Sequence, residues 1–358
     1  MMPQSLASIR ALFPPEERPR ALGFYAATFG SGAVIGQPAS GILIAADPAG
    51  LGWRSIFFVN LPVVAVIVPL AFLLLRENRN PRPQRLDHGG IVLLALGLAA
   101  LIVPLVEGRR NGWPAWTLIL LVASPRLLLL FWRHERSVAA RGGDPLVTFE
   151  LLASPGVSRG LVAGLLYNVF AAFFLIFAAY QQAALHRNAL QTGLAILPLG
   201  LGFALSPWAS VRLVARTDRA ATLALLWLAG SLLLAALATL DGQPRLLMLA
   251  LFAIGIGIGQ GLVIPTLLRT ITDRVDQSQA GVASGLAAST LQIGGSLGVA
   301  LVGGLFYTLV GDGRDPAVAT RAFASGAIAI AIAAIVAAGF IDGVKTPHLD
   351  PSPTRVPS

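Results

Sequence analysis

Gly160-Leu161-Val162-Ala163-Gly164-Leu165-Leu166-Tyr167-Asn168-Val169-Phe170-Ala171-Ala172-Phe173-Phe174-Leu175-Ile176-Phe177-Ala178-Ala179-Tyr180 contains no aspartate, glutamate, lysine, arginine or histidine. Wound as an α-helix, this stretch reaches about 30 Å, the thickness of the hydrocarbon core of a bilayer. An uncharged run of that length reads as a transmembrane helix, because a helix bonds all of its own backbone donors and acceptors where water is absent. Counting outward by the same standard gives about ten full spans. They lie at 20–44, 54–75, 88–107, 115–132, 160–180, 190–211, 220–240, 246–268, 280–309 and 319–341. Residues 1–13 are apolar but too short to cross, and read as the second half of a further helix.

Composition agrees. Of 358 residues, 55% are hydrophobic and 12% charged, where a soluble domain carries about 25% charged residues; the mean hydropathy is +0.74. Asp and Glu fall in the short polar segments between spans, where they remain hydrated. The net charge of +9 comes from arginines dispersed through loops, which lacks the clustered basic face that nucleic acid requires. With no cysteine, disulfides, thiolate metal sites and cysteine nucleophiles are excluded. His88, His134, His186 and His348 stand in loops or at span ends without metal-ligand or nucleophile–base spacing, so neither an enzyme, a metal nor a cofactor is expected.

Orientation follows from arginine, which cytoplasmic loops retain. One alternating set of loops carries Arg18 and Arg20; Arg76, Arg79, Arg82 and Arg85; Arg133, Arg136 and Arg141; Arg212, Arg216 and Arg219; Arg269 and Arg274. The other set is poorer, so the first set and the C-terminus are expected in the cytoplasm. The segments 76–87 and 133–145 read as linkers that isolate a helix pair, 88–132, from a later block of six spans. The Pro-rich end, 345–358, reads as a disordered tail.

Three clusters stand out. Gly32, Gly36 and Ser40 recur every fourth residue, with Gln37, Pro38 and Gly41 among them. Such spacing puts small residues on one helix face, and Pro38 removes a donor and bends the helix; generic packing gives the same pattern. Trp53, Arg54, Asn60 and Pro62 open the next span. The aromatic ring and arginine suit the interface, while Asn60 enters the bilayer and is expected to find a partner on another helix. The third cluster is Gly255, Gly257, Gly259 and Gly261 with Gln260 and Pro265, followed by Gly281, Gly285, Gln292, Gly294, Gly295 and Gly298. Two such helices can rock against each other or simply pack tightly, and side chains added at Gly36 or Gly285 are expected to force helices apart.

Together with Phe13-Pro14-Pro15-Glu16-Glu17-Arg18-Pro19-Arg20-Ala21-Leu22-Gly23 and Tyr180-Gln181-Gln182 followed by Gly193 and Pro198, these clusters resemble the fourteen-span drug:proton antiporters of the major facilitator superfamily. The resemblance runs in family order over nearly the whole chain. Gly32–Gly41 is similar to the antiporter signature G-x-x-x-G-P-x-x-G-G, from which Gln37 and Ser40 depart. The resemblance implies an all-α, polytopic major facilitator fold with an incomplete N-terminal half. On that reading 1–80 is the remnant of the N-terminal half, 81–145 the extra linker pair, 146–344 the C-terminal six-helix half and 345–358 the cytoplasmic tail. The family's first three helices, the start of the fourth and its basic loop motif have no counterpart here.

The resemblance also implies a multi-pass protein of the plasma (inner) membrane that exports small organic or drug-like molecules in exchange for protons. Uptake within the same superfamily and a non-transporting remnant are the alternatives. Tyr167, Asn168, Gln181, Gln182, Gln260 and Gln292 are polar residues within spans and candidates for lining a cavity. Amides and a phenol bond varied cargo without imposing charge, although each residue could equally bridge two helices. No Asp or Glu lies near the centre of a span, and Glu107 sits at an outer end. Arg126 falls near mid-span, where snorkelling toward the headgroups lowers its cost. The topology is open to test with single cysteines in this cysteine-free chain. An impermeant thiol reagent added outside is expected to label positions 112 and 313 and spare 80 and 138; labelling of 80 or 138 but not of 112 or 313 sinks the orientation.

Overall fold

The computed structural model describes residues 38–74, 87–143, 145–147, 149–213, 219–241, 245–272, 280–311 and 315–342, with isolated positions at 14, 17, 32, 35, 36 and 275. Arg18, Gln37, the half-helix read at 1–13, most of the first half of the span read at 20–44, the linker 75–86 and the tail 345–358 lie outside these residues. Every element among the described residues is helical. Nine segments among them are long and apolar enough to cross a bilayer. The main helices are α1 (Asn60–Leu74), α2 (His88–Arg110), α3 (Ala115–Ala140), α4 (Pro155–Asn168), α5 (Ala171–Ala183), α6 (Leu197–Leu213), α7 (Ala220–Leu237), α8 (Leu246–Thr272), α9 (Ala280–Gly298), α10 (Gly304–Val310) and α11 (Pro316–Asp342). α4 with α5 forms one span, and α9 with α10 another.

Local chemistry sets several starts. Proline occupies the first turn of α4 at Pro155 and of α11 at Pro316, where no backbone donor is needed. Asp315 Oδ1 accepts the Ala317 N–H at 2.8 Å. Before α6, Asn188 and Gln191 form a reciprocal capping box, with the Asn188 side chain accepting the Gln191 N–H at 2.9 Å.

Two boundaries differ from the hydropathy reading. α3 runs on through Ala140, so most of the segment read as a linker from Arg133 is helix. Apolar content ends near Trp132, yet the helix persists because the side chains of His134 and Glu135 are engaged by Asp87 and by the Val147 N–H. α4 begins at Pro155, ahead of the apolar run that starts at Gly160.

The described core lies in the block from α4 to α11. α6 packs on α8, α8 on α7, α7 on α11, α11 on α4, and α4 on α9. Val157, Ile176, Leu225, Leu228, Ile256 and Ile330 are among the side chains buried at its centre. α2 and α3 pair as a hairpin, held at mid-depth by Ser124 Oγ donating to the Gly97 carbonyl at 2.9 Å. The hairpin meets the bundle where α2 touches residues 299–310.

Glycine sets the helix spacing. A methyl placed on Gly202 would overlap the Ile254 carbonyl, one on Gly257 the Leu199 carbonyl, and one on Gly261 the Ser206 hydroxyl. α8 approaches α7 likewise: a Cβ at Gly259 would sit 2.8 Å from Leu228 Cα. On α9, a Cβ at Gly298 would lie 2.6 Å from Val169 Cα, and one at Gly294 would strike the Leu165 carbonyl. Apolar contact with lipid is as favourable as contact with another helix, so such close backbone approaches hold the bundle together.

The packing expected of Gly32, Gly36 and Gly285 finds no partner among the described residues. Nothing described lies within 4 Å of a Cβ built at any of these three positions. In the first span the contact is made by Gly41, whose Cβ would lie 2.8 Å from the Ala189 carbonyl. Asn60 also departs from expectation: its Nδ2 donates to the Ile56 carbonyl one turn back at 3.3 Å, not to another helix. Gly257→Ala and Gly298→Ala are expected to destabilise the detergent-solubilised chain by about 1–3 kcal/mol through overpacking. Gly36→Ala and Gly285→Ala are expected to change stability by no more than about 0.5 kcal/mol. Equal unfolding midpoints for all four variants would overturn this division of the glycines.

Candidate substrate-facing surface

α4 and α5 are separated by a tightened turn at the middle of their span. Val169 N–H bonds Leu166 O at 3.3 Å and Phe170 N–H bonds Tyr167 O at 3.0 Å, a shift to i→i−3 bonding that needs no proline. Facing it, the span that starts with α9 widens into a π-helical turn at Val299–Gly303 before α10. Gly298 abuts Val169 between these two irregular segments. Asn168 ties the pair, its Nδ2 donating to the Leu291 carbonyl at 2.5 Å.

The six polar residues read from the sequence divide by burial. Tyr167 is 2% exposed and belongs to the core. Gln181, 3% exposed, is held at the C-terminal end of α5 as acceptor for Arg187 Nη1 at 3.4 Å. Asn168 is half-buried and engaged with Leu291. Gln260 is half-buried near the middle of α8, flanked by the two tight glycines 259 and 261. Gln182 and Gln292 are exposed, the first at the end of α5 and the second along α9. Thus Asn168, Gln260 and Gln292 stand within the spans of three helices, while Gln181 and Gln182 stand at the C-terminal end of α5.

The aromatic residues of α5 turn inward. Phe173 stacks on Phe170 at 5.4 Å and on Phe177 at 5.5 Å, and Tyr180 stacks on Phe323 of α11 at 4.7 Å. This column fixes α5 against α11. Between α4, α8 and α9 lies a narrow apolar crevice bordered by Leu161, Gly164, Ile264, Leu267 and Leu291, with Thr290 at its edge. It has room for about one water molecule and is no drug-sized site. That Asn168 bridges two helices is one of its two readings from the sequence, but its partner is not legible there, being a backbone carbonyl far away in the chain.

The remaining motif residues sit at the membrane border. Arg54 lies over the Trp53 ring at 4.9 Å, and Trp53 meets Phe57 edge-on at 5.9 Å. Pro62 lies in the first turn of α1, none of whose described side chains is buried. Gly281 falls in the first turn of α9. Arg126 is exposed on α3. Among the described residues no three His, Asp or Glu side chains are placed to hold a metal ion.

Known proteins place this architecture. The chain is 35% identical over 325 residues to a Streptomyces coelicolor protein named "probable actinorhodin transporter", covering 87% of this chain and 55% of that protein. It is 36% identical over 310 residues to a puromycin resistance protein of Streptomyces alboniger, covering 84% and 60% respectively. It is 29% identical over 327 residues to a multidrug resistance protein of Mycobacterium tuberculosis, covering 87% and 57%. The chain therefore spans a little over half the length of these relatives. Residues 1–299 match the sequence profile of the Major Facilitator Superfamily. With that match covering most of its length, this multi-pass, all-helical membrane chain belongs to the Major Facilitator Superfamily, a family of transporters rather than enzymes.

Proposed function

We propose that this sequence corresponds to the larger part of a secondary exporter of small organic, drug-like molecules, driven in its intact form by proton antiport. The observation that carries the reading is its similarity, over more than four-fifths of its length, to proteins named for antibiotic transport and drug resistance. The polar surface fits such cargo. Asn168, Gln260 and Gln292 offer neutral donors and acceptors at mid-depth, which suit an amphipathic molecule better than an ion.

In this reading 146–344 is the C-terminal six-helix half, 81–145 an inserted helix pair, 1–80 part of the N-terminal half and 345–358 a cytoplasmic tail. Cargo binds between the halves near the bilayer midplane, and access alternates as one half rocks against the other. The tightened turn at Val169–Phe170 and the π turn at Val299–Gly303 supply places where helices can bend. In this reading the protein sits in the plasma membrane, and the arginine distribution favours a cytoplasmic C-terminus.

Proton coupling needs a protonatable group within the membrane, and no carboxylate stands near the centre of any span of this sequence. Coupling is therefore assigned to residues outside these 358. In liposomes under a pH gradient, the 358-residue chain is expected to show no gradient-driven dye efflux. A chimera carrying the N-terminal helices of the Streptomyces coelicolor relative is expected to show it. Flux through the short chain alone would return coupling to these residues, and no flux through either would overturn the exporter reading.

A further inference from the structure

Outside the substrate-facing surface, ionisable side chains meet where α2 begins and α3 ends. Asp87 precedes α2 and its Oδ1 accepts the Gly90 N–H at 2.9 Å. His134 Nε2 stands 2.9 Å from Asp87 Oδ1 and 3.0 Å from Oδ2. Glu135, on the last turns of α3, is 0% exposed. Its Oε2 accepts the Val147 N–H at 2.9 Å, in the short connection from the helix pair to α4. Its Oε1 is buried and finds no donor. Glu135 Oε1 and Asp87 Oδ2 converge on the space a Cβ of Gly90 would fill, with Leu146 Cδ1 closing the other side.

Two carboxyl groups facing each other away from water cannot both stay ionised at low cost, and one with an orphaned oxygen is the one that takes a proton. Among the described residues no cation is shown paired with Glu135. His134 is spent on Asp87, Arg136 lies over the Trp132 ring at 5.3 Å, and His88 is exposed. The connection contributes backbone N–H groups, and residues 145–147 carry no titratable side chain.

We propose that Glu135 is a proton-binding site whose acid form donates to Asp87, and that this proton latches the α2–α3 pair to the chain entering the six-helix block. The proton completes the cluster: Oε1–H bonds Asp87, Oε2 keeps Val147, and Asp87 keeps Gly90 and His134. Loss of the proton leaves two facing carboxylates that separate, releasing the Val147 connection.

The electrostatics have the required signs. The orphaned Oε1 of Glu135, facing Asp87 in a site closed by Leu146, favours its acid form. The Gly90 N–H leads the effects that hold Asp87 below its own range. A carboxyl that binds its proton more tightly in the folded chain favours the latched form in acid. That contribution is lost as pH rises through the folded-state pKa of Glu135.

The test uses the full chain in lipid nanodiscs. Infrared difference spectra between about pH 6 and about pH 9 are expected to show loss of a buried carboxylic-acid band in the parent chain and not in Glu135→Gln. With Val147→Cys as a reporter, thiol labelling relative to a cysteine at exposed Ala140 is expected to rise about tenfold over that interval. Glu135→Gln, whose amide keeps both bonds, is expected to stay protected throughout. Asp87→Asn, whose amide can donate to an ionised Glu135, is expected to move the acid band's midpoint downward, and His134→Gln to keep the pH step. A pH step that survives in Glu135→Gln, or that disappears only in His134→Gln, would overturn the proposal, as would an unchanged midpoint in Asp87→Asn.

Discussion

Close approach of one helix backbone to another is the constraint on which the rest of this structure depends. In lipid, an apolar side chain gains little by exchanging a lipid neighbour for a helix, so cohesion must come from packing and from polar bonds between helices. The overlaps at Gly202, Gly257, Gly294 and Gly298 with facing backbone atoms show where that cohesion is concentrated. Polar bonds add a second layer: Trp227 Nε1 donates to the Gly255 carbonyl at 3.0 Å, and Asn168 to the Leu291 carbonyl. Ion pairs stay at the ends, as with Arg219 and Asp342 at 3.3 Å and Arg245 and Asp241 at 2.7 Å. Exposed pairs of this kind contribute about 0–1 kcal/mol each.

The same contacts explain where the bundle can deform. A helix clamped by glycine along its length has little room to bend unless its own hydrogen bonding is locally altered. That alteration occurs at Val169–Phe170 and at Val299–Gly303, on two helices that touch through Gly298. Asn168 sits beside the first irregularity and bonds across to the helix carrying the second. Its amide thus supports helix packing as well as belonging to the polar surface, and the two readings of that residue in the sequence are not exclusive.

Hydropathy made the spans legible because length and apolarity are what the bilayer selects, and nine of them recur among the described residues. It could not show where α3 ends. The residues that extend it, His134 and Glu135, look like loop residues until Asp87 and Val147 are brought to them by the fold. Glycine content was legible too, but not which glycines carry contacts. Small-residue spacing defines a face without saying what lies opposite, so Gly41 meets Ala189 while Gly36 and Gly285 meet nothing described. Among the polar candidates, the sequence could not separate Tyr167 and Gln181, buried in the fold, from Gln182 and Gln292, exposed on it. Periodicity within one helix carries no information on which neighbour covers it.

Charge placement follows from the same cost of burying an unsatisfied group. At mid-depth the bundle keeps amides and hydroxyls, each able to bond a backbone carbonyl without counter-charge, as Asn168 and Ser124 do. Ionised side chains are pushed to the ends, where water or a partner is at hand. Arg126 is the exception, exposed on α3 with Cα–Cβ inclined toward the helix N-terminus. On the arginine-based orientation that terminus faces outward, so reaching cytoplasmic headgroups requires its side chain to turn back along the helix. Its length permits this, and the helix pair lies at the margin of the bundle, where local thinning of the bilayer disturbs no internal contact. Arginine is tolerated there because it lies outside the glycine-packed interfaces, where no side chain of its size could fit.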